Sequence, residues 1–169
     1  KEAEARQLVL IRELQHRSKN LLAVMQSIVT NTLARSRDLK SATDAVVGRL
    51  HALGHAQEFV VSGPSGGAPL RNIVEAELSP FAAQVKIDGI PLVVGGAFGQ
   101  QFALVIHELA TNAAKYGALS RPNGRVVISW EVKQQSADPA LAFSWIGRGG
   151  PRVKPPKKQG FGSQLISIA

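Results

Sequence analysis

Glu13-Leu14-Gln15-His16-Arg17-Ser18-Lys19-Asn20 places six polar residues, Gln15 to Asn20, inside a stretch whose apolar residues otherwise recur with helical spacing. A neutral imidazole is a nucleophile near pH 7. On a helix, Arg12, His16, Lys19 and Asn20 stand at i−4, i, i+3 and i+4 and so share one face. Cations then flank the imidazole and could hold an incoming phosphate. A solvated polar face with an incidental histidine has the same spacing.

A second group is His107-Glu108-Leu109-Ala110-Thr111-Asn112-Ala113-Ala114-Lys115-Tyr116. Glu108, Asn112 and Lys115 lie at i, i+4 and i+7 on one helical stripe, opposite a core-facing stripe of Phe102, Ile106, Leu109 and Ala113. An acid, an amide oxygen and a cation in one row suit a hydrated Mg²⁺ bound to phosphates, because that ion takes oxygen ligands and keeps several waters. A solvated amphipathic helix fits the pattern as well.

The third group is Trp145-Ile146-Gly147-Arg148-Gly149-Gly150-Pro151, followed by Gly160-Phe161-Gly162-Ser163. Glycines let the backbone approach a ligand closely, and N–H groups at a helix start attract phosphate. Arg148, Arg152, Lys154, Lys157 and Lys158 fall in this region with no acid among them. A surface loop rich in turn residues has a similar composition, and the Gly-Lys-Ser/Thr of a P-loop is absent. His51 and His55 also stand at metal-binding i, i+4 spacing. No third ligand accompanies them, and the pair reads as incidental.

The elements that must position these groups can be read from periodicity. Residues 1 to about 36 contain neither glycine nor proline, and Leu8, Ile11, Leu14, Leu21, Leu22, Met25, Ile28, Val29 and Leu33 recur at helical intervals. The pattern predicts one helix of roughly 50 Å at about 1.5 Å per residue. A turn at Ser36-Arg37-Asp38 leads to a second helix from about Leu39 to Val60, with Leu39, Val46, Leu50 and Leu53 on its stripe. Two long helices with a short connection make an α-helical hairpin, and their apolar stripes predict dimerisation into a four-helix bundle. Ser62-Gly63-Pro64-Ser65-Gly66-Gly67-Ala68-Pro69 reads as a flexible break, which divides the chain into residues 1–62 and 63–169. Beyond it the pattern predicts a helix from Leu70 to about Phe81, short strands at 85–87 and 92–94, and a helix from about 99 to 116. Strands at 125–132 and 141–145 follow, then a loop from Gly147 to Gly162.

Composition narrows the setting. The chain has 169 residues, of which 44% are hydrophobic and 19% charged, enough apolar material for a buried core. No apolar run reaches the length of a membrane span, and Lys1-Glu2-Ala3-Glu4-Ala5-Arg6 lacks the apolar stretch of a secretion signal. Membrane contact is therefore not expected. Cysteine is absent, so thiolate chemistry, disulfides and Cys-ligated zinc are excluded and a cytoplasmic setting is expected. The net charge of +8 favours an acidic partner. With only 5% aromatic residues, stacking platforms for nucleic acid are not expected.

Taken together and in order, these groups resemble the bacterial sensor histidine kinases, specifically the HWE subfamily and the related HisKA_2 type. Leu14-Gln15-His16-Arg17-Ser18-Lys19-Asn20 is similar to that group's phosphoacceptor box, His-Arg-x-Lys-Asn, and Arg49-Leu50-His51-Ala52-Leu53 to its second hairpin helix. The stretch from His107 to Ser120 resembles its N-box almost residue for residue, including the distinguishing His107. Trp145 with Gly149-Gly150-Pro151 resembles the first glycine box, and Gly160-Phe161-Gly162-Ser163 the second.

The resemblance implies a dimerisation and phosphotransfer hairpin joined to an α/β two-layer sandwich of the Bergerat (GHKL) ATP-binding type, C-terminally incomplete because the family pattern continues past Ser163. It implies that His16 attacks the γ-phosphate of ATP and that an aspartate on a response regulator receiver domain then takes the phosphoryl group. Asn112 is implied as a Mg²⁺ ligand, with Glu108 as metal or water ligand or base. Lys115 and the Gly160-Phe161-Gly162 turn are implied at the phosphates, and Tyr116, Trp145, Gly149, Gly150 and Ser163 in the nucleotide site. His107 is implied near the metal–phosphate end. A sensor domain upstream of Lys1 is also implied. One position departs from the family: its Trp-x-Glu has glutamate where this chain has Gly147. That carboxylate should accept a hydrogen bond from the adenine amino group, and losing it costs roughly 1.5–3 kcal/mol. The departure opens an alternative, a degenerate kinase acting as a regulator phosphatase, phosphotransfer or binding module with weak ATP binding.

Overall fold

The computed structural model describes residues 2–36, 38–63, 66–135 and 138–152. Helix α1 spans Glu2–Leu33 and α2 spans Leu39–Ser62. The turn between them is closed at both ends. The Thr32 carbonyl accepts the Ser36 N–H at 3.0 Å and the Ser36 hydroxyl at 2.8 Å, which satisfies an orphan acceptor at the end of α1. Asp38 caps α2: Oδ1 accepts the Ser41 N–H and Oδ2 the Ser41 hydroxyl, each at 2.8 Å.

The backbone hydrogen bond from Ser41, supported by its hydroxyl, holds the Asp38 carboxyl below the usual aspartate range. The folded state therefore binds this proton less readily than the unfolded chain does. The cap's contribution is fully present above the ordinary aspartate value and is lost as pH falls through the lower, folded-state value. Asp38→Ala lowers the thermal midpoint at pH 7, and the gap between variant and parent closes as the melting buffer is taken below that value. A gap independent of pH would show that the carboxylate is not what stabilises the helix start.

The chain divides into two compact units, Lys1–Leu50 and His51–Ala169. In the first, Ile28 and Ala42 are buried, and so are the polar residues Thr32 and Arg49. The Arg49 guanidinium donates to Thr32 Oγ1 at 2.6 Å, and that hydroxyl donates to the Ile28 carbonyl. A buried cation needs a partner, and this one thus ties α2 to α1. Leu8, Val9, Ile11, Leu14 and Leu22 of α1 are 42–66% exposed.

The second unit contains β1 (Gly67–Pro69), α3 (Leu70–Leu78), β2 (Val85–Gly89), β3 (Val93–Gly95), α4 (Gly96–Tyr116), β4 (Arg125–Gln135) and β5 (Asp138–Arg148). Strands β2, β4 and β5 form one sheet in that order, β2 parallel and β5 antiparallel to β4, while β1 pairs antiparallel with β3. The buried β4 residues Val126, Ile128 and Trp130 alternate with more exposed ones. Opposite them in register stand Gly147, Trp145 and Phe143 of β5. This face packs against Ile73, Val74 and Leu78 of α3 and Phe102, Ile106, Ala110 and Ala113 of α4, giving a helix layer on a sheet layer. Phe102 meets Phe143 edge to face at 5.1 Å, which joins the layers. Gly89 admits the Trp130 ring, which lies 2.2 Å from where a Cβ would be.

Several sequence expectations change here. Ala56 and Val60 of α2 are built into the core of the second unit. Gly67–Pro69, expected as flexible, is strand β1: pairing with β3 overrides its poor strand propensity. Helix α3 ends at Leu78, short of Phe81, because Pro80 follows Ser79 and the chain tightens into a 3-10 segment, Ser79–Gln84. The loop expected from Gly147 begins at Gly149, since Gly147 and Arg148 pair with Val126 and Arg125.

Candidate functional site

His16 lies in the body of α1 and is exposed, as are Arg12, Lys19 and Asn20 around it. The Asn20 side-chain amide nitrogen is 3.5 Å from His16 Nδ1. The helix therefore presents the ring and the cations on one face, as the spacing predicts.

Helix α4 carries the second group, which the structure divides between two surroundings. Asn112, Lys115 and Tyr116 are exposed and Glu108 is half-buried, while Phe102, Ile106 and Ala113 are buried on the core side. Burial of the apolar stripe is what turns the Glu108–Asn112–Lys115 stripe outward. His107 has a different partner. Its Nδ1 is 2.9 Å from Oε2 of Glu77 on α3, a carboxylate only 6% exposed. Among the described residues no cluster of three or more His, Cys, Asp or Glu side chains could cage a metal.

The end of α4 and the end of β5 meet backbone to backbone. A Cβ at Gly150 would lie 2.8 Å from the Ala118 backbone, and one at Gly124 would strike the Ala118 carbonyl. Gly149 has φ +71°, the left-handed region that favours glycine. Gly147 faces the same residue, where a Cβ would come 3.2 Å from the Ala118 Cβ. Trp145, next on this face of β5, is half-buried against the core. The last residues of the stretch similar to the N-box and those similar to the first glycine box thus form one structural locus. Gly160, Phe161, Gly162 and Ser163, and Lys154, Lys157 and Lys158 of the basic stretch, lie outside the described residues; Arg152 is exposed.

Residues 13–91 match the model of the HWE histidine kinase family. Over this stretch the chain is similar to the HWE histidine kinases. It is 36% identical over 170 residues to a blue-light-activated histidine kinase of Brucella anthropi, and 34% identical to one of Brucella ovis. Each match covers 98% of this chain, which spans only 35% of the length of either relative. Among solved structures, the histidine kinase domain of the Erythrobacter litoralis EL346 blue-light activated histidine kinase shares the fold, with a TM-score of 0.58 at 21% identity over 93% of this chain and 78% of that one. A longer form of that kinase gives a TM-score of 0.56 at 20% identity over 94% of this chain and 54% of that one. Among the described residues no helix is long and apolar enough to cross a membrane.

Glu77 carries no motif signal, and nothing in its spacing singles it out. His55 is 3.6 Å from Glu77 Oε1. A search for acids near an i, i+4 histidine pair would have reached its partner only with the α2–α3 packing in hand.

Proposed function

We propose that this chain is the core of a two-component sensor kinase that transfers the γ-phosphoryl group of ATP to His16 and from there to an aspartate of a response regulator receiver domain. The observation that carries the reading is the convergence of the N-box end and the first glycine box at Ala118, in a chain whose α1 presents His16 among cations. The second unit is then a Bergerat-type nucleotide site. Asn112 and Glu108 supply oxygens to Mg²⁺, Lys115 contacts phosphate, and Tyr116, Trp145, Gly149 and Gly150 belong to the nucleotide pocket, completed by Gly160, Phe161, Gly162 and Ser163. Mg²⁺, when bound, neutralises charge on the phosphates. His16 Nε2 forms the bond to the γ-phosphorus as the bond to the bridging oxygen breaks and ADP leaves. Attack by Nε2 requires its lone pair, so the reacting tautomer carries the ring hydrogen on Nδ1. The exposed Leu8, Ile11, Leu14 and Leu22 are covered by a second copy in a four-helix bundle. Incubation with γ-labelled ATP and Mg²⁺ tests the reading: it requires acid-labile, base-stable label on the protein, and no label overturns it.

Gly147 favours a second reading, a degenerate kinase that exchanges phosphate with a regulator or dephosphorylates it while binding ATP weakly. The position sits on the inward face of β5 beside Ala118, where a glutamate would be received once Ala118 yields by a few tenths of an ångström. Under the kinase reading with adenine at this face, Gly147→Glu tightens ATP binding about 10- to 100-fold by calorimetry, the worth of one charge-assisted hydrogen bond. Unchanged affinity removes residue 147 from adenine recognition.

A further inference from the structure

Each oxygen of the buried Glu77 carboxylate faces a different imidazole. Oε2 is 2.9 Å from His107 Nδ1 on α4, and Oε1 is 3.6 Å from His55 Nδ1 on α2. The Glu77 side chain is 6% exposed, that of His107 23% and that of His55 51%. All three belong to the second unit. We propose that Glu77 is a positioning residue, which fixes the tautomer and direction of the N-box imidazole and links it to α2 through His55.

An ionised carboxylate can only accept a hydrogen bond. The 2.9 Å contact therefore places a hydrogen on His107 Nδ1, and in the neutral ring Nε2 keeps its lone pair. The same arrangement, in which a carboxylate holds the far nitrogen of an imidazole, orients working histidines in metal and acid–base sites. Burial makes the contact directional, because water cannot take over the role at an oxygen so little exposed. The contact to His55 is longer and more exposed, so His107 is the principal partner. A second polar contact, between Gln57 of α2 and Gln100 of α4, lies on the same α4 face as His107, at i and i+7. Between them Ala56 and Val60 of α2 enter the core. Helix α2 begins in the first unit and ends in the second, so Glu77 stands between the N-box and an element that both units share.

Side-chain ¹⁵N spectra of the histidines test this directly. In the parent protein the neutral His107 ring is in the Nδ1–H form. Glu77→Met keeps the volume and removes the acceptor, and it shifts most His107 rings to the Nε2–H form that free imidazole favours; Glu77→Gln, which keeps an acceptor, restores part of the Nδ1–H form. A His107 tautomer unchanged in folded Glu77→Met protein, verified by its melting transition, overturns the proposal. His55→Ala leaves the tautomer intact but moves the His107 Nδ1–H proton resonance, since the carboxylate loses one of its partners. An unmoved resonance overturns the link to α2. The kinetic consequence rests on the kinase reading: Glu77→Met lowers the rate of His16 phosphorylation about 10-fold with little change in KM for ATP. A tautomer shift without a rate change overturns the catalytic use of the orientation. The spectra read the same whether or not the protein is a kinase, so failure of the two readings can be told apart.

Discussion

His16→Ala protein takes up no label from γ-labelled ATP, a loss on the order of a thousandfold or more, as expected when the attacking atom itself is deleted. The imidazole is exposed on α1, and alanine is the best helix former, so the substitution removes the nucleophile without opening the core or weakening the helix. Its thermal midpoint therefore stays at the parent value. Calorimetry finds the same Mg²⁺–ATP affinity as in the parent, because no residue of the nucleotide site has changed. Equal labelling of parent and variant would place the phosphoacceptor elsewhere, and His51 would be the next candidate on the hairpin. Lost labelling accompanied by lost ATP affinity would instead mean that the substitution acts through folding.

The two faces of α4 were legible because helical period alone assigns them. Phe102 to Ala113 repeat at intervals that leave a single solution for the buried stripe, and the polar residues follow on the remaining face. Strands β4 and β5 were legible for the same reason at a period of two. What periodicity cannot register is contact between distant segments. Gly67–Pro69 has the composition of a linker and becomes a strand only because β3 pairs with it. Gly147 reads as loop by composition but continues the inward row of Phe143 and Trp145 once β4 supplies the register. Glu77 is an ordinary acid on a short amphipathic helix until packing brings His55 and His107 to its two oxygens. Ala118 is similar: Gly124 and Gly150 close on its backbone and Gly147 on its side chain.

Asn112→Ala produces the other large loss and distinguishes the nucleotide site from the phosphoacceptor. Asn112 is exposed on α4, one residue before the buried Ala113, so truncating it costs no packing, and alanine raises helix propensity at that position. The melting midpoint is unchanged or slightly raised. Deleting one of the few protein oxygens offered to Mg²⁺ removes charge stabilisation at the transferring phosphate, and phosphorylation of His16 falls roughly 100- to 1,000-fold. The diagnostic is calorimetric. Parent protein binds ATP more tightly with Mg²⁺ than with EDTA, and Asn112→Ala loses that increment while its affinity in EDTA is retained. His16→Ala keeps both values. If Asn112→Ala retains the Mg²⁺-dependent increment, the outward stripe of α4 is not the metal side of the site. The role would then pass to groups around the Ala118 junction, because that is where the structure brings the N-box end and the glycine box together.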